Sequence, residues 1–111
     1  MPRALTTLDP FNAIAEAKRR QVLDVLAGGE RPVNDLVQSL GWPQPQVSKH
    51  LGVLKKVGLV SVRRVGRQRV YALDARQLKP IHQWLTGFES FWQHQLESIK
   101  KRAEAKKQSK A

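Results

Sequence analysis

Gln44-Pro45-Gln46-Val47-Ser48-Lys49-His50-Leu51-Gly52-Val53-Leu54 is followed by Lys55-Lys56-Val57-Gly58-Leu59-Val60 and then by Arg63-Arg64-Val65-Gly66-Arg67-Gln68-Arg69-Val70-Tyr71. The first segment reads as a helix from about Gln44 to Val57. On a helical wheel Val47, Leu51, Leu54 and Val57 face inward with His50 beside them. Gln44, Pro45, Ser48, Lys49, Gly52, Lys55 and Lys56 face outward, and Gln46 falls on the flank. Pro45 is tolerable in the first helical turn and Pro43 lies before it, so the two prolines mark where the helix begins. Gly52 costs about 0.5 to 1 kcal/mol of helix stability relative to Ala. Its missing side chain lets the backbone approach a phosphate or a groove wall closely.

After the stop at Gly58, the β-branched runs Val60 to Val65 and Val70 to Leu73 flank a turn at Gly66-Arg67 and predict a two-stranded hairpin. Its tip is cationic and carries Gln68. From Leu36 to Leu73 there is no Asp or Glu, while Lys49, Lys55, Lys56, Arg63, Arg64, Arg67 and Arg69 all lie in that span. A solvated surface normally mixes both signs, so this stretch points to a polyanionic partner. A polar-headed helix, a glycine stop and a basic hairpin, in that order, are what a winged helix-turn-helix needs to lie on DNA.

The flanking sequence supplies the remaining helices. Asp9-Pro10 is a helix start, with Leu8, Phe11, Ile14 and Ala15 at helical spacing behind it. A second helix carries Val22, Leu23, Val25 and Leu26 after Lys18, Arg19 and Arg20, and Gly28-Gly29 stops it. A third, short helix has Val33, Leu36, Val37 and Leu40 on one face and ends at Gly41. Asp74 to Pro80 is a connector. The last long helix then begins near Gln77 or Ile81, with Leu78, Ile81, Trp84, Leu85, Phe88, Phe91, Trp92, Leu96 and Ile99 on one arc. Positions 78, 81, 85, 88, 92, 95 and 99 fit a heptad seam in which Gln95 is the one polar member. So much apolar side chain exceeds what a small domain covers, so a seam against a second copy is expected, with an effector pocket as the alternative. Residues 1–99 are expected to form one DNA-binding and dimerisation domain. Residues 100–111, with six cations and one acid, are expected to be a disordered basic tail.

Composition agrees with a small nucleic-acid-binding domain. The chain has 111 residues, of which 41% are hydrophobic and 26% charged, and its 20 Lys and Arg against 9 Asp and Glu give a net charge of +11. Such an excess favours nucleic acid over an anionic membrane surface. No segment approaches the length of a membrane span and no apolar signal core opens the chain, so a cytoplasmic protein is expected. With no Cys there is no disulfide, thiolate metal site or thiol redox sensor.

Gln44-Pro45-x-Val47-Ser48-x-His50-Leu51-x-x-Leu54, continuing through Gly58-Leu59-Val60 to Gly66-Arg67-x-x-Val70-Tyr71, resembles the ArsR family of bacterial winged-helix repressors. Arg19-Arg20 and Gly29-Glu30-Arg31-Pro32-Val33 are similar as well, and the resemblance covers about Phe11 to Ile99. It implies a mainly α fold of four helices, a two-stranded β-hairpin and a fifth helix, forming a homodimer. The first and last helices would make the dimer interface through Phe11, Ile14, Leu78, Ile81, Leu85, Phe88, Trp92, Leu96 and Ile99, and the fourth would enter the major groove. The family pattern carries recognition to Gln44, Gln46, Ser48 and Lys49 and the wing to Arg67, Gln68 and Arg69. The outward face of the helix and the basic hairpin add Pro45, Gly52, Lys55 and Arg64 to the expected DNA-binding set. Base reading is expected from the amides and Ser48, and positioning from the cations.

The sequence departs from the family at Glu16-Ala17, where an Asp-Pro is common, and at Pro43, which replaces a capping Ser or Thr. It also lacks the family's metal-binding patterns. His94-x-x-Glu97 imitates half of one, but Pro80 stands where an Asp would precede His82, and His82 and His94 fall on different sides of the helix wheel. No metal or other cofactor is therefore expected. The unknown signal is left to a small-molecule or protein effector, with a metal-responsive repressor using His82, His94 and Glu97 as the alternative. His50 reads as a packed, hydrogen-bonding residue. An enzyme is not expected, since there is no Gly-rich phosphate loop and no nucleophile with His and carboxylate partners. The expected function is that of a dimeric repressor on an inverted-repeat operator, and its other rival is a winged-helix module for protein–protein contact.

Overall fold

The computed structural model describes residues 9–109; Leu8, placed on the first helix by its spacing, lies outside them. Asp9 caps helix α1 (Pro10–Ile14), its Oδ1 accepting the Asn12 N–H at 2.8 Å. Five residues are too few to satisfy their own carbonyls. The start of helix α2 (Ala17–Ala27) supplies the missing donors. Arg19 donates from Nε to the Ala13 carbonyl at 2.7 Å and from Nη2 to that of Asn12 at 3.2 Å, and Arg20 reaches the Ile14 carbonyl at 2.6 Å. The break between the helices falls at Ala15-Glu16. Glu16 is extended there, and its carbonyl accepts the Arg19 and Arg20 N–H groups in place of a side-chain cap.

Past Gly28-Gly29, Arg31–Pro32 form a short strand β1 that leads directly into helix α3 (Val33–Leu40), which Gly41 closes in the left-handed region at φ 71°. Helix α4 (Gln44–Lys56) follows. Strands β2 (Val60–Val65) and β3 (Gln68–Leu73) then make the hairpin. Gly66 takes φ 62° at its turn, while Arg67 keeps a negative φ. That is the combination a tight two-residue hairpin loop of the II′ kind requires.

The sheet has three strands where the sequence predicts two. Strand β1 pairs antiparallel with β3, Arg31 opposite Tyr71 and Pro32 opposite Val70, giving the order β1-β3-β2. Two residues are too few to show alternation, and a proline argues against a strand unless the strand lies on an edge, as β1 does.

The inward face of α4 is as the wheel predicts: Val47, Leu51 and Leu54 are buried, and Val57 packs on them half-exposed. They join Val22, Leu23, Leu26, Leu36, Leu59 and Val60 in one core, with Ala13 from α1. On the outward face Gln44, Pro45, Ser48, Lys49, Gly52, Lys55 and Lys56 are exposed, and Gln46 is half-buried.

The chain divides into two compact units, the second beginning at Pro80. Within the first, Asp74 caps a 3-10 turn (Ala75–Leu78) and pairs with Arg76 at 2.7 Å. That partner and the cap hold its carboxyl below the usual range. Helix α5 (Lys79–Thr86) spans the junction, and the second unit continues as α6 (Glu89–Ser109). The single last helix expected from the apolar arc is thus two. Gly87 and Phe88 form the turn between them, donating to the Trp84 and Leu85 carbonyls at 3.2 and 3.0 Å before Phe88 accepts from Trp92. Heptad spacing runs through this turn unaltered because the three-residue bonds keep nearly helical progress.

Ile81 is buried and Leu85 half-buried, whereas Trp84, Phe88, Phe91, Trp92, Leu96 and Ile99 are 43 to 64% exposed. Helix α6 does not stop after Ile99. It continues to Ser109, where a disordered tail is expected from composition. No Gly or Pro follows Gly87, and the Lys, Arg, Ala, Glu and Gln that dominate the end are strong helix formers. Among the described residues no helix is long and apolar enough to cross a membrane.

Candidate nucleic-acid interface

The head of α4 is set by its prolines. Pro43 is extended, and its carbonyl accepts the Gln46 and Val47 N–H groups at 3.0 and 3.2 Å. Pro43 offers no side-chain cap, but Pro45 has no N–H to be capped, so the deficit expected from replacing a Ser or Thr is small. Gln44 and Ser48, four residues apart, project from one strip of the exposed face.

That strip borders a groove of about 360 Å³. Gln44 and Ser48 of α4, Arg67, Gln68, Arg69 and Tyr71 of the wing, and Pro32, Val33 and Asn34 at the start of α3 line it. Tight β3 pairing brings the wing to α3, because Val70 lies opposite Pro32. Five residues expected from the sequence to bind DNA thus meet in one place: Gln44, Ser48, Arg67, Gln68 and Arg69.

A second groove, of about 350 Å³, lies between the end of α4 and the hairpin, where Lys55, Val62, Arg63, Arg64 and Arg69 border it. Arg64 stands directly opposite Arg69 in the strand register. Like charges facing each other across a ladder are destabilising in isolation, so the pair suits a surface that an anion covers. Among the described residues Lys49, Lys55, Arg64, Arg67 and Arg69 have no acidic partner. Arg63 differs, because both carboxylate oxygens of Glu30 hold its guanidinium, with Nε to Oε2 at 3.2 Å and Nη2 to Oε1. This hydrogen-bonded pairing pushes the Glu30 carboxyl down and the Arg63 guanidinium up from their ordinary values.

Pro45, Gln46, Lys49 and Gly52 border neither groove. Pro45, Lys49 and Gly52 are exposed, and a Cβ added at Gly52 would meet nothing within 4 Å. No contact within the fold therefore requires glycine at that position.

His50 is packed as expected, only 4% exposed, with its ring edge-on to Trp42 at 6.0 Å. The hydrogen bond expected of it is missing. Nε2 lies 3.8 Å from the Glu16 carboxylate and Nδ1 is buried without a partner. Burial pushes the imidazole pKa below its ordinary value. Glu16 opposes that shift, and Arg19, Lys49 and Lys18 add to it. Lys18 also lies over the Trp42 ring, 5.3 Å from its centroid.

Of the residues expected at a dimer seam, Ile14 and Leu78 pack against the first unit's core. With Leu23, Ala27 and Leu73 they line an apolar hollow of about 250 Å³. Phe11 is 40% exposed. Among the described residues no group of three His, Cys, Asp or Glu gathers where it could hold a metal, and His82 on α5 and His94 on α6 are both exposed. Sequence reasoning missed Asn34 and Tyr71 in the first groove. Asn34 had a signal, being a polar residue at the head of the helix preceding α4, whereas Tyr71 is brought in by strand register alone.

Residues 16–62 match the model of the bacterial regulatory proteins of the arsR family. The match runs from Glu16 to the third residue of β2. The transcriptional repressor SdpR of Bacillus subtilis is 32% identical over 78 residues, which is 70% of this chain and 87% of that protein. A crystal structure described as a possible transcriptional regulator for arsenical resistance aligns with TM-score 0.63 and 38% identity, covering 78% of this chain and 86% of that one. A homodimeric winged helix-turn-helix DNA-binding domain of Mb0332 from Mycobacterium bovis aligns with TM-score 0.59 and 33% identity, over 70% of this chain and 75% of the other. This chain, with its winged helix-turn-helix fold, belongs to the ArsR family of DNA-binding transcriptional regulators and is not an enzyme.

Proposed function

We propose that the protein is a cytoplasmic homodimeric repressor that reads an inverted-repeat operator, with residues 1–99 as its DNA-binding and dimerisation domain and the basic end beyond them adding nonspecific attraction to DNA. The observation that carries this reading is the first groove, where the polar head of α4 and the cationic tip of the wing line one concavity. A helix in the major groove and a wing on the adjacent backbone require that juxtaposition. Gln44 and Ser48 there, and Gln46 beside them, read base edges, with Pro45 fixing the helix head and Lys49 positioning it. Gly52 allows close approach, while Lys55, Arg64, Arg67, Gln68 and Arg69 hold phosphates.

Dimerisation is supported by the homodimeric state of the Mycobacterium bovis domain and by the exposed apolar side chains of α5 and α6. A two-fold dimer presents two copies of α4 with half-site centres about 34 Å apart, one turn of DNA. Phe11, Ile14, Leu78, Ile81, Leu85, Phe88, Trp92, Leu96 and Ile99 are the proposed contact residues. An effector, small molecule or protein, would act by changing that pairing.

Selection of fragments from random duplex DNA should return an inverted repeat. Gln44→Ala with Ser48→Ala should then relax the choice at the base pairs these side chains read, at about 1 to 3 kcal/mol for each base edge left unread. Equal weakening on operator and on unrelated DNA would show that these residues position the helix and do not read sequence.

A further inference from the structure

The cations of the wing are not equivalent. Arg64, Arg67 and Arg69 have no acidic partner among the described residues, whereas Arg63 is gripped through two nitrogens by Glu30. The two residues sit on opposite sides of the sheet's middle strand. Glu30 precedes β1, Arg63 is in the centre of β2, and β3 runs between them. Their bond is therefore a strap across the strand that carries Arg69 and Tyr71. Arg63 also borders the same groove as Lys55, Arg64 and Arg69, so a guanidinium released from Glu30 would have phosphate-binding neighbours at hand.

We propose that Glu30 sets the effective charge of the wing, holding Arg63 back from DNA so that nonspecific attraction stays below the level at which it would mask operator choice. The inference rests on the reading that the wing grips phosphate. A polyanion attracts every mobile cation within a Debye length, and each added phosphate contact strengthens binding to all sequences alike. Among the described residues the Glu30 carboxylate is the one paired with that guanidinium, and it competes with phosphate for it. Glu30 itself touches no DNA and acts through Arg63, so it is a positioning residue.

The test is the slope of log affinity against log salt, measured for operator and for unrelated duplex DNA with the full chain. The pair is exposed, so the variants should stay folded, which circular dichroism checks. Glu30→Gln should steepen the slope by about one unit and tighten unrelated DNA several-fold more than operator, reducing the ratio between them. Arg63→Gln should leave the slope as in the unmodified chain, and the double variant should match Arg63→Gln. A slope already flattened by about one unit in Arg63→Gln would mean that Arg63 grips phosphate despite Glu30, and would overturn the proposal. So would an unaltered slope in Glu30→Gln. Arg67→Ala with Arg69→Ala serves as the reference. If that variant too leaves the slope unchanged, the wing reading itself fails; if it flattens the slope while the Glu30 and Arg63 variants depart from expectation, only the restraint is wrong.

Discussion

At Gly52 one added carbon should act in opposite directions on folding and on binding. The glycine lies in mid-helix with open space where a Cβ would stand, so Gly52→Ala should raise the stability of the folded chain by about 0.5 to 1 kcal/mol. If α4 lies deep in a groove, the same methyl should weaken operator binding. A variant that melts higher and binds DNA unchanged would place this side of the helix away from the DNA. His50 makes a second prediction. Its pKa is lowered by burial, chiefly, from an ordinary 6.5. A base whose folded pKa is depressed contributes stability that is fully present above its unfolded pKa and is lost as pH falls toward and through the folded value. The melting temperature should therefore fall as the pH drops below about 6.5, and His50→Gln should flatten that fall. An identical acid profile in the variant would move the sensitivity to the carboxylates.

At the scale of elements, the hairpin is the part proposed to hold the DNA backbone. Arg67→Ala with Arg69→Ala should flatten the salt slope of binding by about one unit for each phosphate no longer neutralised, without changing which sequence is preferred. A slope that does not move would take the hairpin off the DNA. Helix α4 and the hairpin were legible in the sequence because their signals are local: prolines at one end, Gly58 at the other, β-branched runs around Gly66-Arg67. Strand β1 was hidden by its length and by Pro32. The turn at Gly87-Phe88 was hidden because apolar spacing passes through it. Helicity beyond Ile99 was hidden because the same Lys-rich composition suits a solvated helix and a disordered end. The first groove was only half legible. Gln44, Ser48 and the wing cations belong to elements with outward faces that can be read one by one, but Tyr71 and Asn34 join them through a strand pairing between residues far apart in sequence.

For the whole molecule, the exposed row of large apolar side chains on α5 and α6 supports the proposed pairing with a second copy. Trp92 is 47% exposed in the single chain, so Trp92→Ala empties little of the chain's own packing and should act on assembly. Sedimentation should find folded monomer, and operator affinity should drop by well over tenfold because a lone α4 reads one half-site. A Trp92→Ala protein that stays dimeric would assign that face to another ligand.

The strand order has a consequence for the unbound protein. Strand β2 is an outer strand of the sheet, with backbone groups open to any passing chain and Val60, Val62 and Val65 along it. Such edges recruit one another into extended aggregates unless charge or proline blunts them. Here Arg63 and Arg64 interrupt the valines on β2, and Pro32 sits on the opposite edge, β1. In the unbound protein, Arg64 and the charged Arg63–Glu30 pair would keep copies of the sheet from adding to one another edge to edge. A wing neutralised to abolish binding would therefore also lose its colloidal protection.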